Sequence, residues 1–470
     1  MSNPHLNHLL NLAGLPASTA ANVAITGSDL LLATPYKFVA PGAACIAAAG
    51  LAAAELWRLK TGRTQQVSLD TYAAAAALRS PRYIKIDGKK PEEDGAKVTG
   101  FYQLKDGRWI YLHCNFPNVR DGNLKAVGAP MDKAAVSKAV SARDGLELEA
   151  ALFAAGGCGG FIRTEAEWET LAHQKSAAQI PLFEIVKIGD APVQPLPTFA
   201  KGERPLSGIR MLDLTRVLAG PSCAKAFAEH GADVMRITRK DLPDLGPPSD
   251  VDTGIGKLQA HLDMRDPAQA EIMRGLVRDC DVFLQAYRPG ALAARGLSPE
   301  ALAETRPGIV YVTLSAWGHE GPWKGMRGYD TVVQSFNGMA WRPNNEKPAF
   351  LPGSPHDYIA GYVLAFAAMI ALHRRATIGG SWLVRTSLAG AGEWFRGMGR
   401  FTPAEYQNLP AEFPPEILQR LLMEHDSPWG RVTHLAPAVQ LSETPGRWVR
   451  PASPRGTHAP VWPRVNLSFR

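Results

Sequence analysis

The chain has 470 residues, of which 46% are hydrophobic and 20% are charged, a composition typical of a soluble protein with two or three domains. Its net charge is +7, and its lysines and arginines are spread along the chain, which favours anionic small molecules over nucleic acid as partners. The five cysteines have neither metal-ligand spacing nor the density of a disulfide scaffold. The predicted location is therefore the reducing cytoplasm.

The N-terminal third of the chain begins without the basic start and apolar core of a signal peptide. Its most apolar stretch, residues 38–57, consists mostly of alanine and glycine and contains a proline and a glutamate. This composition predicts a close-packed buried helix, running from Pro41 to Lys60, rather than a membrane span, and no membrane partner is expected. A strand over 65–69 and a second alanine-rich helix over 70–79 follow.

The segments from residue 99 to residue 205 differ in pattern from the alanine-rich helices before them. Residues 99–104 and 108–113 alternate in polarity around an Asp-Gly pair, which predicts a β-hairpin because glycine supplies the positive φ of a tight turn. Residues 130–175 are typical of helices, and their glycine cluster at 156–160 either cradles a ligand through its backbone or joins two helices. Residues 188–205 are rich in proline and polar turn residues and are the best candidate linker.

Past residue 205, short apolar strands alternate with helices, which predicts a parallel sheet covered on both faces. The turn after the first strand, residues 215–221, then lies at the carboxyl edge, where such sheets bind ligands. It has one glycine rather than the three of a dinucleotide fingerprint, and the chain contains no P-loop, H-E-x-x-H or G-x-S-x-G motif. The predicted strands are 209–214, 234–238, 282–285 and 309–314, and the predicted helices are 221–230, 266–278 and 299–305.

Asp357 lies shortly before a run of small and apolar residues, 362–372. This pattern predicts a helix with Asp357 in its first turn. Free backbone N–H groups and the helix macrodipole favour a carboxylate in the first turn. Two interpretations follow. Asp357 is either a simple helix cap or a carboxylate held at a helix start for covalent chemistry.

An internal similarity bears on that choice. Residues 58–67 match residues 375–384 at an offset of 317, and each segment follows an alanine-rich helix. The same register places Ala40 on Asp357, so the carboxylate is not required by the fold if both segments are copies of one unit. Two alanine-rich helices of independent origin would give the same match, and the sequence leaves both origins open.

Five short motifs follow one another in the second half of the chain, namely 212–221, 231–234, 288–290, 321–322 and the Asp357-x-x-x-Gly361 helix start. Together they resemble the class III coenzyme A transferases, a family that includes formyl-CoA transferase, carnitine CoA-transferases and α-methylacyl-CoA racemase. The ordered match covers residues 205–395, and the combination of motifs is specific although each is common alone.

The resemblance also implies a domain organisation and a fold. The expected fold is α/β, with a Rossmann-like parallel sheet domain and a smaller α+β domain. Small-domain sequence precedes the nucleotide-binding half, so the chain resembles a rearranged member of the family. The expected domains are 1–80, an alanine-rich segment resembling the end of the large domain; 81–200, the small domain with its linker; 201–395, the Rossmann-like CoA-binding domain with the catalytic aspartate; and 396–470, a C-terminal closing segment.

The activity implied by the resemblance is transfer of CoA from an acyl-CoA to a carboxylic acid. Asp357 is the expected nucleophile, and the reaction passes through aspartyl anhydride and aspartyl-CoA thioester intermediates. The CoA thioester is then a substrate, no tightly bound cofactor or metal is expected, and the family's interlocked dimers imply a homodimer. The predicted substrate-binding residues are Tyr329, Asp330 and Gly361, and the predicted CoA-binding residues are Val217, Ala219 and Arg239.

Two alternatives remain open at this point. The racemase branch has a histidine where this chain has Tyr329, and a tyrosine of ordinary pKa is a poor base at neutral pH, although His319 and His356 are nearby in sequence. A non-catalytic CoA-binding subunit is the other alternative, because Leu218 stands where related transferases have glutamine. The retained Asp357 argues against loss of catalysis.

Overall fold

The computed structural model describes residues 3–91, 97–198, 203–243 and 245–463. Residues 199–202 of the predicted linker and residues 464–470 of the predicted closing segment lie outside the described residues.

The strands form four sheets and are labelled in chain order. They are β1 Val23–Thr26, β2 Val67–Asp70, β3 Lys85–Ile86, β4 Gly100–Gln103, β5 Trp109–Leu112, β6 Gly159–Phe161, β7 Phe183–Gly189, β8 Arg210–Asp213, β9 Asp233–Thr238, β10 Leu258–His261, β11 Val282–Gln285, β12 Val310–Ser315, β13 Ser381–Ser387, β14 Leu422–Ser427, β15 Gly430–Leu435 and β16 Val439–Leu441.

The α-helices are labelled in the same way. They are α1 Pro4–Leu12, α2 Val39–Thr61, α3 Thr71–Ala77, α4 Pro117–Val127, α5 Lys133–Val140, α6 Gly145–Ala154, α7 Glu165–Thr170, α8 Ala172–Ala177, α9 Ala219–Glu229, α10 Ser249–Gly254, α11 Pro267–Arg278, α12 Pro299–Thr305, α13 Asp330–Phe336, α14 Pro355–Ile378, α15 Leu388–Arg396, α16 Pro403–Tyr406 and α17 Pro415–Leu421.

The largest sheet has seven strands in the order β10-β9-β8-β11-β12-β13-β7, and all neighbours are parallel except β13 and β7. Alternate residues of its strands enter two different cores. Leu212 and Phe283 belong to one, and Met211 and Val282 belong to the other. A sheet buried on both faces is the predicted α/β arrangement, and the fold-class prediction is confirmed.

The smaller domain is built on the antiparallel sheet β4-β5-β6. Strands β4 and β5 form the predicted hairpin. Of the two interpretations of the glycine cluster, a connection between two helices describes its first part only, because Gly159 and Gly160 belong to β6. A Cβ on Gly159 would lie 2.4 Å from the carbonyl oxygen of Tyr111, so close strand approach explains why glycine is needed there.

Several elements were not predicted, and β7, β10 and α10 are examples next to the main sheet. Strand β7 overlaps the start of the predicted linker, residues 188–205. Glu184 on β7 pairs with Arg385 on β13 at 2.7 Å across the antiparallel edge of the main sheet. A charged pair on neighbouring strands helps to stabilise this edge.

Helices α2 and α14 pack against each other at the centre of the molecule. Both are long and apolar enough to cross a membrane, but 89% and 94% of their most apolar 18-residue windows are buried inside the protein. Their composition is explained by this burial, as the sequence predicted for α2. Small residues let the two helices approach closely.

The internal similarity is a structural repeat. The first repeat is β1-α2-β2-α3, residues 23–77, and the second is β12, α14, β13 and α15, within residues 310–396. Strand β1 pairs with β2 in parallel so that Val23 faces Val67, and β12 pairs with β13 in parallel so that Val312 faces Val384. The second strands keep the offset of 317, whereas the first strands are offset by 289. The last residue of each second strand then caps the next helix.

The two repeats exchange strands. Strand β7 follows the first repeat along the chain but pairs with β13 of the second, and β16 follows the second repeat but pairs with β2 of the first. Both pairings are antiparallel and share one register, since Ile185 faces Val384 and Leu441 faces Val67. The third strand of each repeat's sheet therefore comes from the other half of the chain.

Candidate active site

Asp357 lies in the first turn of α14, as predicted. Pro355 is the first helical residue, and Ser354 at the cap position makes no side-chain capping hydrogen bond. The Asp357 side chain is only slightly exposed and lines a cavity, and no group in the described residues donates a hydrogen bond to its carboxylate. It is therefore a carboxylate at a helix start that is left available to a ligand, rather than a cap.

The environment of Asp357 disfavours its charged form. Burial, and secondarily the neighbouring charge of Asp330, hold the pKa of the Asp357 carboxyl well above its usual range. The backbone N–H of Asp357 donates to Asp330 Oδ2 at 3.2 Å, which fixes the two carboxyl groups beside each other. Pairs of carboxyl groups with pKa values moved apart are typical of catalytic sites.

Asp330 begins α13 and is held from two further directions. Gln334, one turn along α13, donates its amide to Asp330 Oδ1. His356 Nδ1 lies 3.4 Å from Asp330 Oδ2, and Asn337 Nδ2 lies 3.1 Å from His356 Nε2. The Asn337 contact is within hydrogen-bonding distance, whereas His356 Nδ1 is buried without a hydrogen-bond partner among the described residues. Asp330 and His356 thus lie behind the nucleophile and outside the cavity lining.

Tyr329 lines the cavity and lies in an aromatic stack. The His113 ring is parallel to it at a centroid distance of 4.0 Å, and Phe116 stacks at 5.5 Å. Burial lowers the pKa of His113 to about 3, so this imidazole is neutral at physiological pH. His113 and Phe116 belong to the smaller domain, which therefore contributes one wall of the site.

The turn between β8 and α9 contributes the predicted residues Val217 and Ala219, and both line the cavity. Val217 has φ +71, a conformation that is rare for a β-branched residue and costs roughly 1–3 kcal/mol. This strained turn directs the backbone at the start of α9 towards the cavity.

Gly361 does not line the cavity; it lies where α14 crosses α9. A Cβ on Gly361 would come 2.5 Å from the carbonyl oxygen of Ala219 and 3.1 Å from Ser222 Cβ. Gly361 therefore supports the cavity-facing turn between β8 and α9 by allowing two helices to approach closely.

The cavity has a volume of about 330 Å³, and its charge is mainly positive. Arg288, Lys324 and Arg327 line it, and none of them forms an ion pair within the described parts of the chain. Arg216 also lines it, with its guanidinium 5.3 Å from the Phe116 ring centroid. Cations facing a single buried carboxyl group suit an anionic ligand.

A second cavity of about 250 Å³ adjoins the first and shares three lining residues with it. Arg239, predicted to contact CoA, lines this second cavity with Arg265 and Arg295. Arg239 pairs with Asp241, and Arg265 pairs with Asp263 at 2.6 Å. The two cavities together form an elongated groove with Asp357 in one cavity and Arg239 in the other.

The structure thus brings Val217, Ala219, Tyr329 and Asp357 to one cavity and Arg239 to its neighbour. Sequence reasoning missed the contributions of Phe116, Asn118, Lys324 and Arg327. Lys324 and Arg327 lie within five residues before Tyr329. Their positive charges next to a predicted substrate-binding residue could have indicated that they belong to the site. Phe116 and Asn118 follow the predicted hairpin, and no local pattern ties them to Asp357, more than 200 residues further along the chain.

Comparison with known proteins identifies the family of the chain. The model of the CoA-transferase family III matches residues 21–195 and 206–416, which is most of the chain. The chain belongs to CoA-transferase family III. The predictions of the family, the fold class and a transferase enzyme are confirmed.

Two relatives illustrate the range of similarity. An acyl-CoA transferase of Gibberella moniliformis is 26% identical over 458 residues, covering 87% of this chain and 78% of that protein. The human succinyl-CoA:glutarate CoA-transferase is 33% identical over 181 residues, and the match covers 36% of this chain and 41% of the human protein. These relatives and the family support CoA transfer in general.

Among solved structures, the protein Rv3272 of Mycobacterium tuberculosis is 28% identical with a TM-score of 0.39, covering 42% of this chain and 57% of that one. A CaiB/BaiF family protein of Brucella suis is 26% identical with a TM-score of 0.38, covering 40% of this chain and 54% of that one.

Proposed function

We propose that this CoA-transferase moves CoA from an acyl-CoA to a carboxylic acid through covalent intermediates on Asp357. The observation that carries the proposal is the Asp357 carboxylate. It is buried at a helix start, accepts no hydrogen bond from the described residues and faces a cavity lined by cations. An ionised carboxylate in such a place is a nucleophile with little solvation to lose.

The reaction is balanced in four steps. An Asp357 oxygen attacks the thioester carbonyl, the C–S bond breaks, and a mixed anhydride and CoA thiolate form. The thiolate attacks the Asp357 carbonyl carbon and releases the donor acid, which leaves an aspartyl-CoA thioester. The acceptor carboxylate then displaces the thiolate to form a second anhydride, and the thiolate attacks the acceptor's acyl carbon. The products are a new acyl-CoA and free Asp357.

The side chains around Asp357 have separate roles in this route. Arg288, Lys324 and Arg327 attract the anionic reactants and stabilise the oxyanion formed at each step. The groove through the second cavity accommodates the nucleotide end of CoA, with Arg239 as a phosphate ligand. This route needs no tightly bound cofactor. That expectation and the cytoplasmic location stay predictions.

Racemisation is less well supported. Among the described residues, no histidine lines the cavity, because His356 is turned towards Asp330 and Asn337 and His319 lies beside Glu184 and Glu320. The α-proton of a bound acyl group would therefore meet no imidazole base.

The test is incubation with an acyl-CoA and an isotopically labelled carboxylic acid. We expect label in the acyl-CoA pool with wild-type protein and none with Asp357→Ala. Exchange of the α-proton with solvent, without transfer of label, would support racemisation instead. The absence of both reactions across a panel of CoA esters would support a non-catalytic subunit.

A further inference from the structure

The strand exchange between the repeats has the form of an intertwined dimer made within one chain. In each repeat a helix and two parallel strands are completed by an antiparallel strand from the other half, β7 on β13 and β16 on β2. Exchange of like elements between two copies of a unit is the usual route to an intertwined dimer. Here the two copies are covalently joined.

The half of the chain that holds the first repeat also completes the site of the second. The smaller domain follows the first repeat, and its Phe116 and Asn118 line the cavity that contains Asp357. This domain also contacts α13, since the backbone N–H of Arg163 donates to the carbonyl of Ser335 at 3.1 Å. A Cβ on Gly160 would come 2.8 Å from the Phe336 ring, so the two surfaces are closely fitted.

The first repeat has a hollow of its own but no counterpart of Asp357. The hollow has a volume of about 330 Å³ and lies at the ends of β1 and β2, and Thr26 in its wall matches Ser315 in the wall of the catalytic cavity. The position that matches Asp357 is Ala40, which does not line the hollow. In the described residues, β1 and β2 form a three-stranded sheet with β16, whereas β12 and β13 belong to the seven-stranded sheet.

We propose that the first repeat and the smaller domain act as a second subunit in cis, so that the working unit is one chain with one nucleophile. Phe116 and Asn118 of the smaller domain supply one wall of the cavity that contains Asp357, from the same polypeptide. This proposal takes the place of the homodimer that the family resemblance implied. The tests of this proposal that measure activity rest on the proposed CoA transfer, whereas the measurement of molecular mass does not.

The first test is sedimentation velocity of the full chain at the concentrations used for the transfer assay. We expect a species with the mass of one chain, 50.7 kDa, with specific activity that stays constant on dilution. A protein that sediments as two chains would overturn the proposal. If wild-type protein sediments as one chain but transfers no label, the proposed function fails while the single-chain unit stands.

The second test asks whether two chains share a site. Asn118 is exposed and lines the cavity at the start of α4, so Asn118→Trp should narrow the cavity with little cost to folding. We expect kcat/KM for the acyl-CoA to fall by about tenfold or more. Lys125→Trp, on the same helix but outside the cavity lining, is the matched control and should keep wild-type kcat/KM.

Co-expression of Asn118→Trp with Asp357→Ala on separately tagged chains then tests whether one active site is built from two chains. A site built within one chain cannot be restored by a second chain. The activity of the mixed population should therefore not exceed that of Asn118→Trp alone, and the same holds for protein purified through both tags. A site shared between chains would pair an intact Asp357 with an intact Asn118. Activity above the Asn118→Trp level would overturn the proposal.

Discussion

Helices α2 and α14 begin within one residue of matching positions, with Ala40 in the first repeat where the second has Asp357. In both repeats the backbone N–H at that position donates to an aspartate, Asp29 at 2.7 Å and Asp330 at 3.2 Å. An acceptor for this N–H is thus common to both repeats, whereas the nucleophile and the cation-lined cavity are found in one. The aspartate that accepts the backbone N–H therefore holds the helix start in both repeats, whereas the proposed chemistry depends on Asp357 and its cavity.

Exchange of the two matched residues should give the largest effect. Asp357→Ala removes the nucleophile, and we expect CoA transfer to fall roughly 10⁴-fold or more, as when a nucleophile is deleted from a covalent catalyst. Ala40→Asp supplies a carboxylate at the matching position without a CoA groove beside it. It should add no activity to Asp357→Ala. Transfer by the double variant, measured with labelled acid, would show that the helix start alone suffices.

The second comparison concerns Gly361 and its counterpart Ala44. Gly361→Ala forces a methyl group against Ala219, which should destabilise the protein by about 1–3 kcal/mol and raise the KM for the acyl-CoA. Ala44→Gly weakens α2 by about 0.5–1 kcal/mol through helix propensity, and the loss of the buried Ala44 methyl group adds to this cost. The control should therefore lower Tm without a change in KM. Equal KM values for both variants would contradict a supporting role for Gly361 in the CoA-facing turn.

The charge of Asp330 offers a test in pH. Its ionised form raises the pKa of Asp357, so Asp330→Asn should lower that pKa and move the acidic limb of kcat/KM to lower pH. Asp29→Asn, at the matching place in the first repeat, should leave the limb in place. The measurement is kcat/KM between pH 4 and 8 for wild type, Asp330→Asn and Asp29→Asn. A limb that does not move in Asp330→Asn would remove Asp330 from this role.

The smallest expected effect is on stability. The folded-state pKa of Asp357 is raised, so the unfolded chain releases this proton at lower pH than the folded protein does, and stability falls as pH rises from about 4 through the folded pKa. Asp357→Asn removes that loss. We expect its Tm to exceed that of wild type by a few degrees at pH 8 and by less at pH 4. Ala40→Asn should show no such pH dependence.

The sequence predicted the elements that carry local patterns. Periodicity located α2, α14 and most strands of the main sheet, and the offset of 317 located the repeat. The strand exchange could not be predicted, because β7 and β16 pair with strands about 200 and 370 residues away along the chain and no local pattern indicates those partners. For the site, Asp357 was found from its helix start and the family motif. Phe116 and Asn118 were missed because only tertiary packing brings them to it.

The central claim is that Asp357 alone forms the covalent link to substrate. Intact-mass spectrometry after exposure to acyl-CoA, followed by peptide mapping, tests it directly. We predict one hydroxylamine-sensitive adduct per chain, mapped to Asp357, absent in Asp357→Ala and unchanged in number in Ala40→Asp. An adduct on another residue, a second adduct in the first repeat, or productive transfer without any adduct would contradict the account.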